Sequence, residues 1–157
     1  MNNKYFNLYN NLIKLTRNKS LYKKYTKNET FSDRLVIFFF HLAFLLKVYK
    51  KSTSFKERQN LYDFIFRQIE LSIREIGYGD ATVNKKMKDY VSLMYSIVDK
   101  VELWEKFEIN DKINLFSKYI DAGKESSFFI NYFEKYEYYL SKKTFNYFTK
   151  DVISLKF

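Results

Sequence analysis

Apolar residues in this 157-residue chain recur at steps of three and four, broken by short polar stretches. That spacing places them on one face of successive α-helices. Tyr5, Leu8, Tyr9, Leu12 and Ile13 predict a first helix near residues 3–16. Arg17 to Lys27, which sets Leu21, Tyr22 and Tyr25 among lysines, reads as a second, shorter helix. Thr30 and Asp33 stand at capping spacing, with Ser32 as an alternative cap, and open a helix that runs to about Lys50. The centre of that helix, Leu35 to Leu46, is apolar on every side apart from His41. Twelve residues make about 18 Å of helix, short of the roughly 30 Å hydrocarbon core of a membrane. The pattern therefore predicts a helix buried at the middle of a bundle. In the alternative reading, one of its sides lines a groove for a hydrophobic client.

Ser54 and Glu57 form a second capping pair. Phe55, Tyr62, Phe66, Ile69, Ile73 and Ile76 follow as a helical stripe that stops at Gly77. Val83, Met87, Val91, Met94, Val98 and Val101 resume it, and the two helices are expected to pack antiparallel. Between them lies a tight corner, Arg74 to Lys88, holding two of the three glycines. Gly77 suits a left-handed helix end, and Asp80 or Thr82 suits the cap of the next helix. The corner is either only a turn or a surface that presents Arg74, Glu75, Asp80, Lys85 and Lys88 to a partner. Beyond it, Asn110 or Asp111 is expected to cap a helix that Gly123 stops, and Ser126 or Ser127 to open another. From Thr144 the chain starts helix-like, and alternation over Val152–Phe157 predicts a short extended tail. No repeat, linker or break divides residues 1–157, so one all-α bundle of about six to seven helices around a central apolar helix is expected.

Composition narrows the chemistry. Proline is absent and glycine occurs three times, which favours long helices. Seventeen Phe, fifteen Tyr and one Trp mean that the core is built largely of rings. Without cysteine there is no disulfide, thiolate metal site or thiol nucleophile. One histidine leaves too few ligands for an ordinary zinc site. His41 is also the only histidine that could serve an acid–base pair, but inside an apolar run it reads as a core or groove histidine. No phosphate loop, nucleophile elbow or zincin helix is present, and no catalytic residue, cofactor, metal or small-molecule substrate is expected.

Charge is unevenly distributed. Residues 1–58 carry 13 Lys/Arg against 3 Asp/Glu, whereas residues 59–157 carry 15 of each. The whole net charge of +10 thus lies in the first third, as suits an anionic membrane surface, RNA or a ribosome. The first fifteen residues lack the apolar core and small-residue cleavage site of a secretory signal, so a cytoplasmic protein is expected.

Three runs carry a resemblance. They are Gln59-x-Leu61-Tyr62-Asp63-x-x-Phe66-Arg67, Arg74-Glu75-Ile76-Gly77-Tyr78-Gly79-Asp80, and Val83-x-Lys85-x-Met87-Lys88. Together they resemble the ubiquinol–cytochrome c chaperone family, bacterial counterparts of the mitochondrial cytochrome b assembly chaperone. Arg34 and His41 keep the seven-residue spacing of an arginine and a histidine in that family's first hydrophobic helix. The likeness covers about residues 6–105 and is specific through 59–88. Gln68 and Glu70 depart from its aspartates, and Met94-Tyr95-Ser96-Ile97 from its aromatic-tyrosine-glycine-arginine. The resemblance implies an assembly chaperone for the cytochrome bc1 complex that binds newly made cytochrome b without covalent chemistry. It implies partner binding by Arg74, Glu75, Gly77, Tyr78, Gly79, Asp80, Lys85, Met87 and Lys88, and a groove at Arg34 and His41. It also implies action near a ribosome, peripheral on the cytoplasmic face of the inner membrane. A basic RNA-binding, ribosome-binding or membrane-surface adaptor without a cytochrome b client is the alternative.

Overall fold

A computed structural model describes residues 3–23, 30–120 and 125–151. The described residues form α1 (Asn3–Thr16), α2 (Phe31–Val48), α3 (Phe55–Ile76), α4 (Asp80–Glu102), α5 (Ile109–Ile120), α6 (Ser126–Ser141) and α7 (Phe145–Lys150). Short 3-10 turns at Lys19–Leu21 and Trp104–Lys106 join them, and no strand occurs among the described residues. The architecture is the all-α bundle that the periodicity predicts.

At the centre lies α2, packed by α1, α4, α5 and α6, while α3 lies against α4 and α1 and α7 closes on α1. Every residue from Ile37 to Leu46 is buried. A helix apolar all round has no face to give to water, so it takes the middle. Its rings interlock with those of α5 and α6. Phe133 is the hub, with centroids 5.1 Å from His41, 5.1 Å from Phe44 and 5.6 Å from both Phe40 and Phe116. Trp104 meets Phe44 edge-on at 5.1 Å.

Both expected capping boxes form. Thr30 accepts from the Asp33 N–H, Ser54 accepts from the Glu57 N–H, and each acid reaches back to the cap. Other ends differ from expectation. Gly79, not Asp80 or Thr82, occupies the N-cap of α4 and offers no side-chain acceptor. Asp80 becomes the first helical residue, where its carboxylate faces the dipole and turns to Arg74 instead. Neither Asn110 nor Asp111 caps α5. Asp111 lies within the helix and accepts from the Glu108 N–H at 3.0 Å. Of the basic second helix, only the turn at Lys19–Leu21 is seen. Residues 24–27 of that stretch, the stop at Gly123 and the extended tail lie outside the described residues.

Two asparagines tie the chain's ends together. Asn7 donates to the Thr149 and Lys150 carbonyls at 3.2 and 3.1 Å, and buried Asn11 donates to Phe148 and Asp151 at 2.9 and 3.0 Å. These carbonyls end α7, a six-residue helix whose last acceptors have no partner within it.

Candidate functional site

The elbow between α3 and α4 is built by backbone chemistry. Gly77 ends α3 at φ 107° and ψ 10°, a left-handed conformation that L side chains resist. Gly79 is ordinary extended backbone at φ −75° and ψ 167°. The chain reverses over these few residues, and α4 returns along α3, so that Tyr95 lies 5.5 Å from Tyr62 and 6.2 Å from Phe66. This is the antiparallel pair expected from the two stripes. Here α4 buries more of itself on α2 than on α3.

All residues from Arg74 to Thr82 are exposed. Arg74 Nη1 donates to Asp80 Oδ1 at 2.5 Å across the bend, and its Nη2 lies 3.4 Å from Glu70. Lys86 sits 4.8 Å above the Tyr78 ring, a cation–π contact that the sequence pattern did not suggest. Arg74, Asp80, Tyr78 and Lys86 thus brace the elbow's shape. Glu75, Lys85 and Lys88 remain as the outward charges. Lys85 and Lys88 are three residues apart on one helix face and form no ion pair among the described residues. Met87 is only half open and leans on the core, which makes it a packing residue as much as a surface one.

The structure separates the two residues expected to share a groove. His41 is 0% exposed and borders no opening. Its Nδ1 lies 2.8 Å from the Ile37 carbonyl and its Nε2 lies 2.6 Å from the Tyr132 hydroxyl. A carbonyl can only accept, so the proton sits on Nδ1, and Nε2 accepts from Tyr132. Burial lowers the imidazole from 6.5 to about 4, and Tyr136 donates to the His41 carbonyl at 2.9 Å. A sealed, neutral and doubly bonded ring has no access to a substrate. Of the two readings of His41, core or groove, the buried ring fits the core histidine and not the groove.

Arg34 is different. It stays half-buried and lines a surface cavity of about 200 Å³ between α1, α2 and α3, which Arg17 also lines. Arg17 follows α1 directly and continues the face of Tyr9 and Ile13 at four-residue spacing. No cluster of His, Cys, Asp and Glu among the described residues could hold a metal ion. No described helix is long and apolar enough to cross a membrane.

Residues 23–103, just over half of the chain, match the family model described as Ubiquinol-cytochrome C chaperone. The matched stretch takes in α2, α3, the elbow and α4, and ends one residue beyond α4. No curated protein and no solved structure matches the chain. On the family match, the chain belongs to the ubiquinol-cytochrome C chaperone family.

Proposed function

We propose that this protein is a non-enzymatic assembly chaperone for the cytochrome bc1 complex, with newly made cytochrome b as its client and the α3–α4 elbow as its grip. The observation that carries this reading is the elbow itself. An exposed, internally braced bend with outward Glu75, Lys85 and Lys88 lies within the stretch that matches the family. A rigid ionic corner suits transient recognition, because little side-chain freedom is lost when a partner docks. The basic first third is proposed to hold the molecule against an anionic membrane surface while the client is bound. The same charge would also suit RNA or a ribosome.

Photoreactive groups at Tyr78 and Lys86 would name the partner directly. Crosslinks to cytochrome b, together with lower bc1 activity and lower cytochrome b after gene deletion, are the expected results. Unchanged activity and unchanged cytochrome b would overturn the client assignment. Capture that ignores cytochrome b and falls steeply with salt would instead favour the RNA or ribosome reading.

A further inference from the structure

We infer that the cavity between α1, α2 and α3 is a binding site for one anionic phospholipid of a bilayer surface. This rests only on the part of the proposed function that brings the basic first third to a membrane, and not on the client.

The site combines apolar lining with two arginines. Ile13, Phe31, Leu35, Phe38 and Ile69 line it with apolar surface, Tyr9 and Ser72 add hydroxyls, and Arg17 and Arg34 supply the cations. Its volume of about 200 Å³ admits one ring or a short run of methylenes, since a dry apolar cavity of ~150 Å³ holds benzene. It is too small for a helical segment of a membrane protein. A second hollow of about 340 Å³ continues from it along α1, sharing Tyr9, Ile13 and Arg17 and adding Lys14. An amphiphile therefore fits with its apolar part in the first hollow and its head group beside the cations. Guanidinium groups suit a phosphate because they can donate two parallel bonds to it.

The surroundings favour a surface carrying many anions over a single acidic peptide. Residues 3–23 contain five Lys/Arg and no carboxylate. Such a run of cations gains from a sheet of anionic head groups, each basic residue adding attraction within a Debye length. Glu75, exposed near the end of α3, is close enough to act on Tyr9. It opposes anion binding, as does Asp33, the neighbour of Arg34 on α2.

Flotation of the full chain with vesicles tests the site. Binding is expected with phosphatidylcholine vesicles that contain phosphatidylglycerol, and not with phosphatidylcholine alone. The double variant Arg17→Gln/Arg34→Gln is expected to lose on the order of thirtyfold in affinity. Lys19→Gln/Lys23→Gln, which removes the same charge away from the cavity, is expected to lose only about threefold. Dihexanoyl phosphatidylglycerol below its micelle concentration should shift the Ile13 and Ile69 methyl resonances in the wild type and not in the arginine variant. Thermal melting of both variants checks that they fold. Equal loss in the two double variants would mean diffuse surface attraction and would overturn the site. Methyl shifts without vesicle binding would identify a soluble anion as the ligand and overturn the bilayer source. No vesicle binding by the wild type would sink both this inference and the membrane part of the proposed function. The client assignment would stand untouched.

Discussion

The centre of the bundle and the elbow of the α3–α4 pair are built on opposite terms. Around α2 the chain excludes water, fills space with rings and gives its one histidine two internal hydrogen bonds. At the elbow every residue from Arg74 to Thr82 meets solvent, and shape comes from one left-handed glycine and a few ionic and cation–π contacts. Packing specifies the first region and backbone geometry the second. Damage at the centre should therefore appear as lost stability, and damage at the elbow as lost recognition. A substitution that crossed those effects would break the distinction.

The largest effect is expected at Phe133. Its ring touches those of Phe40, His41, Phe44 and Phe116, so Phe133→Ala opens a cavity where α2, α5 and α6 meet. A loss of about 3–5 kcal/mol is expected in chemical denaturation. A loss below about 1 kcal/mol would show that the centre repacks freely and is not the close-fitted region described.

Next comes the pH dependence that His41 imparts. Folding holds the imidazole near 4, whereas an unfolded histidine titrates near 6.5. Between those values the unfolded chain binds the extra proton, so stability rises with pH. The contribution is fully present above about 6.5 and is lost as pH falls toward 4, by on the order of 3 kcal/mol. His41→Gln keeps a polar side chain but cannot titrate. Its melting temperature should be lower at neutral pH and should fall less than the wild type's between pH 6.5 and 4.5. Parallel curves for the two proteins would mean that the ring is not held neutral.

What the sequence disclosed follows the range of the interactions. Capping boxes at Thr30 and Ser54 involve residues three apart, so a short window reveals them. Burial of α2 was equally plain, because an unbroken apolar run has nowhere else to go. The bonds from Asn7 and Asn11 to α7 cross more than 130 positions, and no local pattern announces them. His41 with Tyr132 spans 91 positions, which is why its spacing to Arg34 suggested a shared groove although the two side chains differ in exposure. At the elbow, the exposure of the charges was legible, but their pairing was not. Asp80 has two attractive roles, cap and ion-pair partner, and Arg74 decides between them.

The two elbow glycines sharpen the comparison at a smaller scale. A Cβ on either meets nothing within 4 Å, so sterics against the rest of the protein cannot distinguish them. Backbone conformation does. Gly77→Val forces a β-branched residue to φ 107° and should cost on the order of 1–2 kcal/mol. Gly79→Ser accepts its existing extended conformation and adds the cap that α4 lacks, for a gain of a few tenths of a kcal/mol. Equal losses at both positions in thermal melts would show that the turn depends on space and not on the sign of φ.

The smallest expected effect on stability belongs to Lys85→Glu with Lys88→Glu, and that is its value. Both side chains are exposed and make no ion pair among the described residues, so reversing them breaks no internal contact. Surface substitutions of this kind usually stay within about 0.5 kcal/mol. A partner that approaches this face with acidic groups would meet two like charges where it had two opposite ones. That change slows encounter and costs affinity through the same Coulomb field. The double variant should therefore melt with the wild type and crosslink poorly from Tyr78 and Lys86. Loss of melting temperature in step with loss of crosslinking would make these lysines structural. Unchanged crosslinking would move the grip away from this face of α4.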